Sequence, residues 1–227
     1  MALNADQQKG FMDVIKFINN PNEKFMDISG GAGTGKTYFI SQIADNILKH
    51  KAPGCTLHTV AITATTNKAA AVISDAMPHR AGQIATIYSF MNLRVSENFQ
   101  TGAVSIVPTP SWVIHSGTLI IIDECSMIPT ELFKFLEMGI DRTCKVLFVG
   151  DKNQLAPVKE TLSPIYRQGY NSTYLTQPVR NALQPALMAL CEQAKQTVLT
   201  GVFTPIEEVP GVIDFVDGTE LKGVLER

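Results

Sequence analysis

Apolar residues recur along this chain in two patterns that alternate: short unbroken runs, and longer stretches spaced by three and four. Runs at residues 24–29, 57–63, 118–123, 145–150 and 173–176 predict strands, because four to six consecutive buried positions suit a strand covered on both faces. Helices are predicted between them at 36–51, 67–77, 129–139 and from about 182 to 199. In the first of these, Phe39, Ile40, Ile43, Ala44, Ile47 and Leu48 make one continuous stripe. Ahead of them all, Asn4 can cap a helix that carries Phe11, Val14, Ile15 and Ile18 on one face and stops before Asn20-Pro21-Asn22. Strands alternating with helices imply an α/β fold, a mainly parallel sheet with helices on both faces, whose ligands sit at the carboxyl ends of the strands.

One stretch breaks the alternation. Between Met91 and Ser116, Leu93, Val95, Phe99, Val104 and Ile106 are interspersed with polar residues around Gln100-Thr101-Gly102, which predicts a β-hairpin insert followed by a Pro108-Thr109-Pro110 loop. Such an insert is either a decoration or a tool, since long insertions are thermodynamically tolerated.

The first strand runs into Gly30-Gly31-Ala32-Gly33-Thr34-Gly35-Lys36-Thr37, and a helix follows at once. Glycines let successive N–H groups turn inward, and the helix N-terminus adds partial positive charge, so this strand–loop–helix unit holds polyphosphate mostly by main chain. Lys36 would reach the outer phosphates and Thr37 would offer its hydroxyl to a magnesium ion. A turn serving only chain reversal has no need of Gly-Lys-Thr at the mouth of a helix.

Leu119-Ile120-Ile121-Ile122 delivers Asp123-Glu124 to the same edge. The expected division of labour gives Asp123 to the magnesium shell and makes Glu124 the general base that polarises the attacking water. A second buried run ends in Gly150-Asp151-Lys152-Asn153-Gln154-Leu155, where the neutral amide of Gln154 could touch the γ-phosphate or the lytic water; an ordinary strand-exit turn is the alternative. Arg180, in Leu175-Thr176-Gln177-Pro178-Val179-Arg180, has the planar donor fork suited to a transferring phosphoryl group, although an isolated arginine also serves as a surface cation.

Taken in order, these blocks resemble superfamily 1 DNA helicases of the RecD/Dda group. Leu3-Asn4-Ala5-Asp6-Gln7 is similar to the N-terminal glutamine motif, in which Gln7 would read the adenine edge. The 30–37 loop, with Gly31, Ala32, Gly33, Thr34, Gly35, Lys36 and Thr37 against the nucleotide, is similar to motif I. Ala64-Thr65-Thr66-Asn67-Lys68-Ala69-Ala70 resembles motif Ia, with Thr66 and Asn67 on single-stranded DNA, and Thr86-Ile87-Tyr88-Ser89 resembles the next DNA-contacting motif. Asp123 to Met127 matches motif II, 150–155 motif III and 175–180 motif IV, where Arg180 would touch the γ-phosphate. Tyr88 stands where this group commonly has histidine, and Thr65 where proline is usual.

The resemblance implies a RecA-like motor domain over residues 1–92 and 116–227, with the 93–115 insert as a strand-separating pin and Phe99 as its aromatic wedge. It also implies ATP and magnesium as cofactors, single-stranded DNA and a duplex junction as partners, 5′ to 3′ movement, and a second RecA-like domain beyond Arg227. Without that domain the isolated chain is expected to hydrolyse ATP weakly or not at all. A nucleotide-gated adaptor and a P-loop phosphotransferase are the rival readings.

Bulk properties narrow the picture little. A formal charge of −2 makes any grip on nucleic acid local and not a global field. Four scattered cysteines without paired spacing suggest reduced thiols. Neither an N-terminal signal nor a membrane-length apolar run is visible, so a cytoplasmic location is expected; the resemblance implies a bacterial cell or phage-infected host, a monomer, and replication or recombination proteins as further partners.

Overall fold

The structure, a computed structural model, describes residues 3–98, 103–179, 185–213 and 215. The chain divides into two units, Met1–Gln177 and Pro178–Arg227.

In the first unit α1 (Ala5–Asn19) begins at a complete capping box. The Asn4 side chain accepts from Gln7 N, and Gln7 Oε1 accepts from Asn4 N. Next come β1 (Phe25–Gly30), α2 (Lys36–Asn46), β2 (Thr59–Ala64), α3 (Asn67–Ala76), β3 (Ile84–Thr86) and the single turn α4 (Ile87–Phe90). A hairpin, β4 (Leu93–Asn98) and β5 (Ala103–Pro108), precedes β6 (Thr118–Asp123), α5 (Thr130–Met138), β7 (Lys145–Gly150) and β8 (Ser172–Leu175).

Six strands form one parallel sheet in the order β3-β2-β6-β7-β1-β8, and β4 and β5 pair separately and antiparallel. The two innermost strands, β6 and β7, are buried at every position, which is why they read as unbroken apolar runs. One face packs Phe39, Ile40 and Ile43 of α2 and Val14, Phe17 and Ile18 of α1 against Met26, Ile28, Ile62 and Leu147. The other packs Leu132, Phe133 and Leu136 of α5 with Ile120, Ile122, Val146 and Phe148, and it also receives Leu93 and Ile106 from the base of the hairpin.

The sequence reading placed β6 and β7 to the residue, and β1, β2 and β8 within two. It missed β3 and α4, which are three and four residues long and too short to show a period. The predicted 36–51 helix is α2 closed by a tighter turn at Ile47–His50.

In the second unit α6 (Pro185–Thr200) is followed by an irregular segment, held where Gln193 Nε2 donates to the carbonyls of Thr204 and Pro205 at 2.7 and 2.8 Å. None of the four cysteines is in a disulfide; Cys125 and Cys144 are buried, Cys55 is half-buried and Cys191 is exposed. Among the described residues no helix is long and apolar enough to cross a membrane.

Candidate nucleotide and nucleic-acid site

The parallel sheet brings the chemistry to one edge, because every strand points the same way and its C-terminal end feeds a loop there. Across that edge the strand order sets, side by side, Thr86 after β3, Thr66 after β2, Asp123-Glu124 after β6, the 150–155 loop after β7, the 30–37 loop after β1 and Thr176-Gln177 after β8.

The 30–37 loop turns through Gly33 and Gly35, at φ 78° and 80°, a region costly for any residue with a Cβ. Gly35 is also the N-cap of α2, so the helix opens without a side-chain cap and its first N–H groups face the loop. Thr34 is buried, its hydroxyl donating to the Gly31 carbonyl at 2.9 Å. Lys36 Nζ donates to the Gly30 and Gly31 carbonyls at 2.8 and 3.1 Å, which holds the ammonium over the loop. Gln7, only 2% exposed, turns its Nε2 toward the Thr34 and Gly35 carbonyls at 3.4 and 3.5 Å. The glutamine therefore lies against the loop, packed beneath it by the capping box. Its neighbour Asp6 accepts from Thr176 N, Thr176 Oγ1 and Gln177 N, tying the end of β8 to α1.

Asp123 is 6% exposed, and burial pushes its carboxyl up to about 6; the nearby Lys36 ammonium pulls the other way. Its Oδ1 accepts from Glu124 N at 2.9 Å. A carboxylate so desolvated calls for a cation, and a metal shared with phosphate oxygens satisfies that demand. Glu124 itself sits in the left-handed region at φ 54°, ψ 40°, a strained backbone for a side chain of its size. Gln154 is exposed in the turn after β7, whose N–H closes on the Asp151 carbonyl at 3.0 Å.

On the other half of the edge, Thr66 caps α3 by accepting from Ala69 N, and Thr86 caps α4 by accepting from Ser89 N. Their strands are register neighbours, with Ala64 opposite Thr86, so two helix N-termini open next to each other. Asn67 is the first residue of α3, and Tyr88, half-buried, lies within α4. Phe99 and Arg180 lie outside the described residues.

Thr65, Asp27, Cys125 and Tyr166 also take part, in contacts that the sequence reading does not assign them. Thr65 donates its hydroxyl to the Glu124 carbonyl at 3.3 Å and so links the two halves of the edge. Asp27, in the middle of β1, is 7% exposed; its Oδ2 accepts from Ser29 Oγ at 2.7 Å and its Oδ1 has no partner among the described residues. The Tyr166 hydroxyl meets Cys125 Sγ at 3.4 Å behind the acidic pair. A charged residue inside an apolar strand run was the one available signal, for Asp27; the others depend on contacts far apart in sequence.

A glycine-rich phosphate loop, an acidic pair two strands away on the same edge and a parallel sheet between helices define a P-loop nucleotide-binding domain. Residues 16–160 match the AAA domain family, and the chain belongs to it. An uncharacterized protein of Acanthamoeba polyphaga mimivirus is 29% identical over 177 residues, which cover 72% of this chain and 35% of that protein. The ATP-dependent DNA helicase dda of Enterobacteria phage T4 is 25% identical over 174 residues, 77% of this chain and 35% of the helicase. The chain thus spans about a third of the length of these relatives. In fold it is similar to Pif1 of Bacteroides sp, solved in complex with ADP-AlF4, with a TM-score of 0.53 at 18% identity over 88% of this chain and 47% of that one. The similarity to dda bears out the group to which the ordered motifs pointed.

Proposed function

We propose that this chain is the first motor domain of an ATP-dependent DNA helicase, converting hydrolysis on the 30–37 loop into movement on single-stranded DNA. The observation that carries this reading is the order of groups along the sheet edge: phosphate loop, amide-bearing loop and acidic pair on the three adjacent strands β1, β7 and β6, then two capped helix N-termini on β2 and β3.

The loop N–H groups and Lys36 bind and orient the triphosphate. Thr37 and Asp123 would hold magnesium, which when bound neutralises charge on the β- and γ-phosphates. Glu124 takes the proton of the attacking water as its oxygen bonds to the γ-phosphorus and the bond to the ADP oxygen breaks. Gln154 positions that water, and Arg180 is the candidate for the charge that develops on the transferred group. Gln7 supports the loop from below and presents the adenine-side wall. Thr66, Asn67, Thr86 and Tyr88 hold the strand by hydroxyl, amide and stacking contacts, and β4–β5 is the wedge, with Phe99 its candidate stacking aromatic. By resemblance the movement is 5′ to 3′, and the domain extends over 1–92 and 116–227.

ATP turnover of the complete gene product, measured with and without single-stranded DNA, tests the reading. Stimulation by DNA, together with strand separation of a tailed duplex, is the expected result. Transfer of phosphate to a small acceptor without DNA would establish the phosphotransferase instead, and nucleotide binding without turnover the adaptor.

A further inference from the structure

The hairpin belongs to a two-stranded sheet of its own, and among the described residues no ladder joins it to the six-stranded sheet. Two strands alone are marginal in water, so whatever stiffens this hairpin must come from outside it. Among the described residues, packing does so at Leu93 and Ile106, which are buried; on the same face Val95, the cross-strand partner of Ile106, and Val104 are each 58% exposed. A polar contact adds to the attachment. Ile106 N, an outward-facing amide of β5, donates to Glu131 Oε1 at 3.1 Å.

Glu131 stands in the first turn of α5, the helix that follows Asp123-Glu124 by way of the short turn Cys125–Met127. The start of that helix is held from a second side, where Thr130 N and Oγ1 each donate to the Glu160 carboxylate at 2.8 Å, in the segment after the 150–155 loop. Glu131 also lies close to Tyr88: burial first, and the Glu131 charge second, hold that phenol above its ordinary range.

We propose that Glu131 is a positioning residue for strand separation: its carboxylate fixes the hairpin to the helix that leaves the acidic pair, so that the wedge is held rigidly against the duplex while the motor advances. This rests on the helicase reading above. A hydrogen bond to a charged acceptor resists deflection of β5, whereas the apolar base alone lets the hairpin pivot on Leu93 and Ile106. The role lies in coupling, since Glu131 touches neither the phosphate loop nor Glu124 among the contacts described.

The test compares wild type, Glu131→Ala and Glu131→Gln in the complete gene product, measuring single-strand-stimulated ATP turnover, unwinding of a forked duplex and amide exchange at Ile106. In Glu131→Ala, unwinding per ATP is expected to fall by about tenfold, the scale of one lost hydrogen bond to a charged group, with turnover on single strands unchanged and Ile106 exchanging faster. Glu131→Gln, whose amide oxygen still accepts, restores most of both. Equal unwinding by Glu131→Ala and wild type, or a parallel loss of turnover and unwinding, overturns the proposal. A wild-type protein that neither responds to DNA nor unwinds it defeats the helicase reading instead, and the two failures are told apart by the wild-type measurement alone.

Discussion

Thr65 Oγ1 donates to the Glu124 carbonyl at 3.3 Å, fastening the strand end that leads into α3 to the strained residue beside Asp123. The bond joins the half of the sheet edge proposed to hold DNA to the half proposed to hydrolyse ATP, at the boundary where Ala64 lies opposite Asp123. Proline, usual here in the RecD/Dda group, has no hydroxyl to make it. Thr65→Val keeps the side-chain shape and removes the donor, at a cost of about 1 kcal/mol in that contact. DNA-stimulated turnover is expected to fall a few-fold while turnover without DNA stays near wild type. Steady-state kinetics with and without single strands check it.

Lys36 and Glu124 should fail in different ways. Lys36→Ala removes the charge proposed to meet the phosphates, and nucleotide affinity should drop by about ten- to a hundredfold. Glu124→Gln keeps size and polarity without a base, so nucleotide still binds while the rate of hydrolysis falls by about a hundredfold or more. Fluorescent-nucleotide titration and single-turnover hydrolysis separate the two; an equal loss of binding in both variants would contradict the roles assigned to them.

Asp27 should make stability depend on pH. Burial pushes its carboxyl up to about 6 from an ordinary 3.8, against the Ser29 hydrogen bond and the Lys152 charge. The native state therefore holds this proton more tightly than the unfolded chain does, so the stability tied to the protonated acid is complete below about pH 4 and lost as pH rises toward 6. Asp27→Asn stays neutral throughout. It should be more stable than wild type by up to about 3 kcal/mol at pH 8, with the difference vanishing near pH 4. Urea titrations of both proteins at several pH values measure this.

Gly150 is where β7 leaves the sheet between Cys125 and Tyr166. A Cβ there would lie 2.8 Å from Cys125 Sγ and 3.2 Å from both Cys125 N and the Tyr166 hydroxyl oxygen. Gly150→Ala should cost about 1–3 kcal/mol of stability through overpacking. Adding Cys125→Ala, which removes the closest atom, should recover part of the loss in thermal melts. Full additivity of the two changes would contradict the contact.

Local order and the candidates for the reacting groups were legible in the residues themselves. Buried runs such as 119–122 and 146–149 have one reading in an α/β protein, and the 30–37 loop carries its chemistry in its own main chain, so Lys36, Asp123 and Glu124 needed no partner to be recognised. Tertiary structure alone decided which strand ends stand side by side, because strand order is set by crossovers that no local pattern encodes. It also decided that Gln7 packs beneath the phosphate loop, that Thr65 reaches Glu124 across 59 positions and that Glu131 meets Ile106 from 25 away. Periodicity reports which face a side chain presents, but the atom it meets depends on how two faces are brought together, and that is settled only when the whole core packs.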